Sequence, residues 1–397
     1  MNYQLSRRFF LQSSAVIALS QLLGGCARGN TISQISFLKN SIPPQLIKDF
    51  RKTLNRDIKV AFKPQTHIPQ IFDSLFNLKH NKKPDRSIRK VIDTILRKSE
   101  FSPSLMTLGD IWLSEAIAQD LIQPLAIESL DNWQNLPEYW QKLVRRNDRG
   151  GLAEDGAVYG APYRWGCTVI AYRRDKLEPL NINLRDWEDL WQPELSDRFS
   201  LLDDPREVIG LTLKKLGKSY NESDLSAVAN LETELRTLQQ QAKLYSSDRY
   251  LEPLILGDTW AAVAWSTDIL PLQKRYPDIE FIIPESGTSV WADLWVRPQN
   301  EAAATVSESE HNVIDGWINY CWQPQTAEKI SRFTNGISPI LATLERKDIS
   351  PKLQENIFLN SEVLNSDRSE FLLPLRSEIQ QQYRDLWLKI RQSRAKE

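Results

Sequence analysis

Cysteine is scarce in this chain: there are three in 397 residues, Cys26, Cys167 and Cys321, each far from the others. That spacing excludes a CxxC zinc or redox pair and any disulfide-dense scaffold. Histidine is equally thin, with His67, His80 and His311 scattered, and no HExxH, GxGxxG, GxSxG or GxxxxGK followed by Ser or Thr occurs. The short motifs of zinc proteases, dinucleotide folds, serine hydrolases and NTPases are therefore absent, and nothing asks for a metal or cofactor. An excess of one charge is missing too: Lys plus Arg is 50 and Asp plus Glu is 51. Such a balance gives no general attraction to nucleic acid. With 15 glycines and 21 prolines the chain is not a low-complexity or wholly disordered one.

What is there is a globular composition, 41% hydrophobic and 25% charged, on a length that one core rarely serves. Two lobes of ordinary domain size are expected. Tryptophan is abundant, with thirteen copies, and asks for a use in a core or a binding site.

The amino terminus reads as an address. Ser6-Arg7-Arg8-Phe9-Phe10-Leu11 precedes a short apolar stretch, Ala15 to Leu23, and then Gly24-Gly25-Cys26. A charged region, a short apolar region and small residues are the layout of an export signal, too short to span a bilayer stably. The arginine pair resembles a twin-arginine signal, and Leu23-Gly24-Gly25-Cys26 resembles a lipobox whose Cys26 is lipidated. The plainer alternative is an ordinary signal peptide in which Cys26 is incidental. Removing residues 1–25 takes two arginines and no acids, leaving 48 basic against 51 acidic residues. An exported protein works without ATP or a glutathione pool, and the sequence leaves the redox state of Cys167 and Cys321 open.

Beyond a polar linker (26–34), Ile35 to Leu38 reads as a strand, Pro43-Pro44 opens a helix containing Leu46, Ile47 and Phe50, and Ile58 to Phe62 reads as the next strand. This β-α-β start marks an α/β lobe. Lys79 to Lys98 is basic and amphipathic, a solvated face rather than a nucleic-acid site. Leu105 to Leu108 reads as a strand, followed by the turn Gly109-Asp110 and a helix from Ile111 to Asp120. Tyr159 to Gly166 leads into the strand Cys167 to Tyr172, a crossover to a second lobe. Then come a helical Trp187 to Trp191, strands at Phe199 to Leu202, Ala261 to Trp265, Phe281 to Ile283 and Val290 to Val296, and a largely helical remainder.

Three groups of residues carry candidate chemistry. Asp204-Pro205-Arg206-Glu207 reads locally as a helix start, with Asp204 as N-cap, Pro205 first and Glu207 reaching back as a capping box. The local sequence favours that structural reading over the other, two carboxylates at a strand-to-helix edge, where open sheets bind ligands. A carboxylate engaged with backbone amides has fewer lone pairs for a ligand, so both readings hold for one of the pair only. In the strand containing Trp291-Ala292-Asp293, alternation places Trp291, Asp293 and Trp295 on one face, an aromatic and acidic surface or a partly buried strand. Trp265 ends an apolar strand before the polar turn Ser266-Thr267-Asp268, a place for a pocket aromatic or a core indole. Acids beside tryptophans suit an ammonium, which an indole face attracts by about 0.5 to 2 kcal/mol.

Several stretches together resemble the bacterial periplasmic spermidine/putrescine-binding proteins of ABC importers. They are Ile42-Pro43-Pro44-Gln45-Leu46-Ile47, Tyr159-Gly160-Ala161-Pro162-Tyr163-Arg164-Trp165-Gly166, Trp187 to Leu195, Leu202-Asp203-Asp204-Pro205-Arg206-Glu207-Val208, Trp291-Ala292-Asp293 and Asn335-Gly336-Ile337-Ser338-Pro339. The resemblance implies an α/β, two-lobed periplasmic-binding-protein fold of type II, each lobe a mixed sheet flanked by helices, with crossover hinge strands between them. The lobes would comprise 35–166 plus about 294–340, and 167–293 plus about 341–397. It implies no catalysis but capture of a polyamine or related cationic amine in the interlobe cleft by Asp204, Glu207, Trp265, Trp291 and Asp293. The implied partners are an ABC permease and ATPase, and the membrane through a lipid anchor. The implied place is the periplasm and the implied state a monomer.

Departures from the family pattern fall in the first lobe. Leu38 stands where relatives carry a tryptophan, Gly109 and Ile111 where they carry Ser and Tyr, and Ile337 where they carry a tyrosine. Asp110 and Trp112 are possible substitutes lining the cleft, and Ile337 a further lining residue. A receptor for another small solute and, from a different class, a secreted hydrolase using Asp204, Glu207 or Asp293 are the alternatives. If they contact an amine, Asp293→Asn and Trp265→Ala are expected to weaken binding with little loss of thermal stability.

Overall fold

The computed structural model describes residues 31–66, 68–80, 103–299, 308–360, 363–364 and 367–393. The export segment with Cys26, and the basic segment beyond His80, lie outside the described residues.

Strand β1 (Thr31–Leu38) starts inside the stretch expected to be linker. It pairs in parallel with β2 (Lys59–Gln65) from Thr31 to Leu38, which buries the polar Ser33 and Gln34. Between them lies α1 (Pro44–Thr53), with proline at its start, where no intrahelical N–H is needed, and Leu46, Ile47 and Phe50 turned inward. After α2 (Ile68–His80), the wholly buried β3 (Leu105–Gly109) pairs in parallel with β1. The helix expected over 111–120 is a 3-10 turn, Asp110–Trp112, followed by the short α3 (Leu113–Ala118), and β4 (Ile122–Gln123) comes next.

The crossover is one strand of 13 residues, β5 (Ala161–Arg173), longer at its start than the expected Cys167 to Tyr172. The second half then runs β6 (Phe199–Leu201), α4 (Pro205–Lys215), α5 (Leu231–Gln241), β7 (Leu244–Tyr245), β8 (Ala261–Trp265), α6 (Ser266–Gln273) and β9 (Ile279–Ile282). Ser266-Thr267-Asp268 thus forms the first turn of a helix rather than a loop. Strand β10 (Ser289–Pro298) returns to the first half, and α7 (Glu308–Cys321), α8 (Pro324–Thr334), β11 (Glu370–Phe371) and α9 (Ser377–Ser393) follow.

The sheet order is β2-β1-β3-β10-β5-β8-β6-β7, with β4 and β11 also on β10 and β9 on β5. Two strands hold the halves together. Strand β10 joins β3 through Asp293 to Val296 and β5 through Val290 to Trp295. Beyond Cys167, β5 leaves β10 and pairs with β8 from Thr168 to Tyr172. Helix α7 packs on β1 in the first half, and α9 packs on α4 and α5 in the second.

Much of the tryptophan excess belongs to the core: Trp140, Trp187, Trp295, Trp317 and Trp322 are fully buried, Trp295 stacked on Tyr163 at 4.4 Å between centroids. Cys167 and Cys321 are free, buried thiols whose pKa values burial pushes up. Among the described residues no helix is long and apolar enough to cross a membrane, and no cluster of His, Cys, Asp or Glu could hold a metal ion.

Candidate functional site

Strand β10 alternates its side chains, so Ser289, Trp291 and Asp293 share one face, spread over roughly 13 Å of strand. Each meets a side chain brought by a different element. The Ser289 hydroxyl lies 2.7 Å from Glu207 Oε2, the Trp265 ring stands 6.3 Å from that of Trp291 at 88°, and Arg164 Nε donates to Asp293 Oδ2 at 2.5 Å.

Glu207 reaches this row because of how α4 begins. The Asp204 side chain accepts from the backbone N–H groups of Arg206 and Glu207 at 2.8 and 3.1 Å, and Pro205 follows as the first helical residue. The other half of the expected capping box does not form: the Glu207 carboxyl turns inward to the Ser289 and Thr168 hydroxyls instead. It is 2% exposed. Burial, reinforced by the charge of nearby Asp204, raises its pKa to about 8, against the pull of those hydroxyls. Burial also raises the pKa of Asp204. One carboxylate of the pair caps the helix, and the other is a buried acid whose direct contacts are hydroxyls.

Trp265 closes β8, and its backbone N–H donates to the Tyr250 hydroxyl at 3.1 Å, which in turn donates to Asp268 Oδ2 at 2.6 Å. Burial raises the Asp268 pKa. Gly166 lies opposite Trp291 in the register, and a Cβ there would stand 2.3 Å from Trp291 Cζ2, so only glycine lets the indole lie across β5.

At the other end of the row Asp293 is 1% exposed and Arg164 6%. Burial works against the guanidinium charge, but Asp293 and its neighbours outweigh it and raise the Arg164 pKa. The Arg164 Cζ also lies 5.9 Å from the Trp291 ring centroid.

The first half contributes less than the sequence suggests. Asp110 is buried but tied down, accepting the Ala292 N–H at 2.8 Å; burial raises its pKa to about 7 against that hydrogen bond and the charge of Arg146. Trp112 packs on Phe72, centroids 4.9 Å apart, rather than joining the row. Ile337 is 1% exposed and exchanges both backbone hydrogen bonds with Trp165 at 2.8 Å, so it is a bridge between loop and strand and not an open lining residue. Leu38 and Ile111 are half-buried against the core.

The structure thus gathers Glu207, Trp265, Trp291 and Asp293 along β10, leaves Asp204 beside Glu207 as the α4 cap, and adds Arg164, Tyr250, Asp268, Thr168 and Ser289, which sequence reasoning did not single out. Arg164 had a signal: it is the one charged residue between Tyr159 and Tyr172, and Asp293 the one acid between Ser289 and Val296. Charges inside apolar strands demand partners.

The family model described as bacterial extracellular solute-binding protein matches residues 103–360. The chain is similar to the spermidine/putrescine-binding periplasmic protein of Salmonella typhimurium, 26% identical over 254 residues that make up 64% of this chain and 67% of that one. It is also 26% identical over 336 residues to the putrescine-binding periplasmic protein PotF of Escherichia coli, 81% of this chain and 80% of the relative. Among solved structures, the spermidine/putrescine ABC transporter substrate-binding protein PotD of Streptococcus pneumoniae aligns with a TM-score of 0.71 at 17% identity, over 91% of this chain and 99% of that one. The TpPotD lipoprotein of Treponema pallidum aligns at 0.65 and 16% identity, over 90% and 98%. These likenesses establish the two-lobed α/β fold.

Proposed function

The chain belongs to the bacterial extracellular solute-binding protein family, and from that premise we propose that it is the substrate-binding component of an ABC importer for an amine-bearing solute of the polyamine class. Such a protein works outside the cytoplasm by binding, with no bond made or broken. Glu207, with Asp204 beside it as the helix cap, takes an ammonium at one end of the β10 row, Trp265 and Trp291 line the middle, and Asp293 defines the far end. The lobes, 35–166 with about 294–340 and 167–293 with about 341–397, close over the ligand because it binds the closed state better. The monomeric protein is held at the membrane by a lipidated Cys26 and hands its ligand to a permease and ATPase.

The observation that carries this reading is Glu207, a buried carboxyl at the start of α4 that faces the shared strand and whose hydrogen-bond partners are neutral hydroxyls. An ionised carboxyl buried without a cation is costly, so Glu207 stays protonated until a ligand ammonium supplies the partner its charge needs. Calorimetric titration of the chain without residues 1–26 against putrescine, spermidine and spermine tests it, followed by arginine, choline and simple anions. Saturable binding of at least one polyamine is expected. A folded protein that binds none of them overturns the amine assignment and moves the function to another small solute.

A further inference from the structure

Arg164 stands where a second ligand cation would stand. Its guanidinium donates to the buried Asp293 carboxylate at 2.5 Å, lies 5.9 Å from the Trp291 ring and is drawn electrostatically to Asp268. Two carboxylates and an indole face are the surroundings an ammonium seeks. The pair is not closed in the way a purely structural ion pair is. Arg164 uses only its Nε: both terminal Nη groups, four N–H donors, make no hydrogen bond among the described residues and keep contact with solvent, on a side chain that is 7% exposed. The buried Arg146 contrasts with it, spending its donors on Leu143 O, Ser114 Oγ and Gly150 O. The Trp291 indole Nε1, beside Arg164, is buried without an acceptor. The loop at Gly336 closes over the Arg164 stem, where a Cβ would stand 3.1 Å from Arg164 Cδ. This end of the row therefore offers spare donors and a charge already neutralised. That is the wrong polarity for an ammonium and the right one for an oxygen acceptor.

We propose that Arg164 is a resident counter-ion for Asp293, so that the site selects an amine with one ammonium, held at the Asp204 and Glu207 end, and an oxygen acceptor instead of a second ammonium at the Arg164 end. The inference rests on the amine-receptor reading above and narrows its ligand class.

The test compares three probes with the same four-carbon chain: putrescine, 4-amino-1-butanol and 4-aminobutanoate. Each is titrated into the wild-type chain without residues 1–26, into Arg164→Met, which matches the stem without charge, and into Arg164→Gln, which keeps an N–H toward Asp293. Thermal melts of each variant check folding, and Arg164→Gln carries the comparison if a bare Asp293 unfolds the methionine variant. The wild type is expected to bind the amino alcohol or the amino acid more tightly than putrescine. Removal of the guanidinium is expected to tighten putrescine by about 10- to 100-fold, the worth of one charge-assisted hydrogen bond, and to weaken the oxygen-bearing probes. A wild type that prefers putrescine, with folded variants that bind it no better, overturns the role of Arg164 and leaves the amine receptor standing. Folded proteins that bind none of the three probes, or of the longer polyamines, overturn both.

Discussion

Glu207 holds its proton harder in the folded protein than in the unfolded chain, its pKa raised from 4.5 to about 8 by burial and by Asp204. Between those values the folded state binds more protons, so the stability of the ligand-free protein falls as pH rises through that window. Asp110, raised from 3.8 to about 7, acts in the same direction over a lower window. A thermal-melt series from pH 5 to 8.5 is expected to show a declining melting temperature, and Glu207→Gln to remove most of the decline at the upper end of the series, where Asp110 has passed its midpoint. A variant with the full wild-type slope would place the titration elsewhere. Asp293 has its partner, Arg164, buried with it. Asp293→Asn leaves Arg164 charged and unpaired, and is expected to cost roughly 3 kcal/mol in a denaturant melt, against the small thermal cost the sequence alone implies. Trp265→Ala leaves those charges alone; its expected loss is in ligand affinity, about 0.5 to 2 kcal/mol by titration, with a nearly unchanged melting temperature.

At the scale of elements, legibility followed how local the cause of each element was. Strand β8 matches its expected bounds, Ala261 to Trp265, because a short apolar run between polar turns needs no distant partner to be recognised. The α4 start was legible in Asp204 and Pro205 for the same reason. What depended on a remote strand was not: Ser33 and Gln34 look like linker until β2 pairs alongside. Pro162 and Gly166 look like breakers within β5. Yet Pro162 sits at the register shift opposite Leu294, where the ladder is already interrupted, and Gly166 accommodates an indole from β10. The same limit applies to the site. The acids and tryptophans were visible as residue types, whereas the turn of Glu207 toward Ser289 and the seizure of Asp293 by Arg164 are tertiary facts. Gly166→Ala tests the element directly. The added methyl collides with Trp291 Cζ2 and with Ser266 Oγ, which would stand 2.3 and 2.7 Å away. Overpacking of this kind costs typically about 1 to 3 kcal/mol. Loss of stability together with a shifted tryptophan emission is expected, and a variant with wild-type melting and emission would show that the indole does not rest on β5.

For the whole molecule, the important fact is that the proposed site sits on the two strands that run through both halves of the sheet. Along β10, Asp293 pairs with Gly109 of β3 and, on the other edge, with Arg164 of β5, while Ser289, at the start of the same strand, meets Glu207 of α4. A ligand lying along this row therefore touches the connection itself and the second-half elements α4 and β8 together. Its binding energy becomes available to set the angle between halves only if the contacts differ between open and closed states. In the proposed reading Glu207 supplies that difference. In the ligand-free protein its carboxyl stays protonated up to about pH 8, and an arriving ammonium makes the ionised form the favoured one. Binding at pH 7 is then expected to release a proton, read as a binding enthalpy that changes with the ionisation enthalpy of the buffer. It should be accompanied by a smaller radius of gyration in small-angle scattering. In Glu207→Gln the buffer dependence should vanish, because the titrating group is gone. Compaction without proton release in the wild type would show that closure is driven from the tryptophans and Arg164 alone, with Glu207 only a buried structural acid. Proton release without compaction would leave Glu207 as the ammonium site but remove these two strands as the hinge.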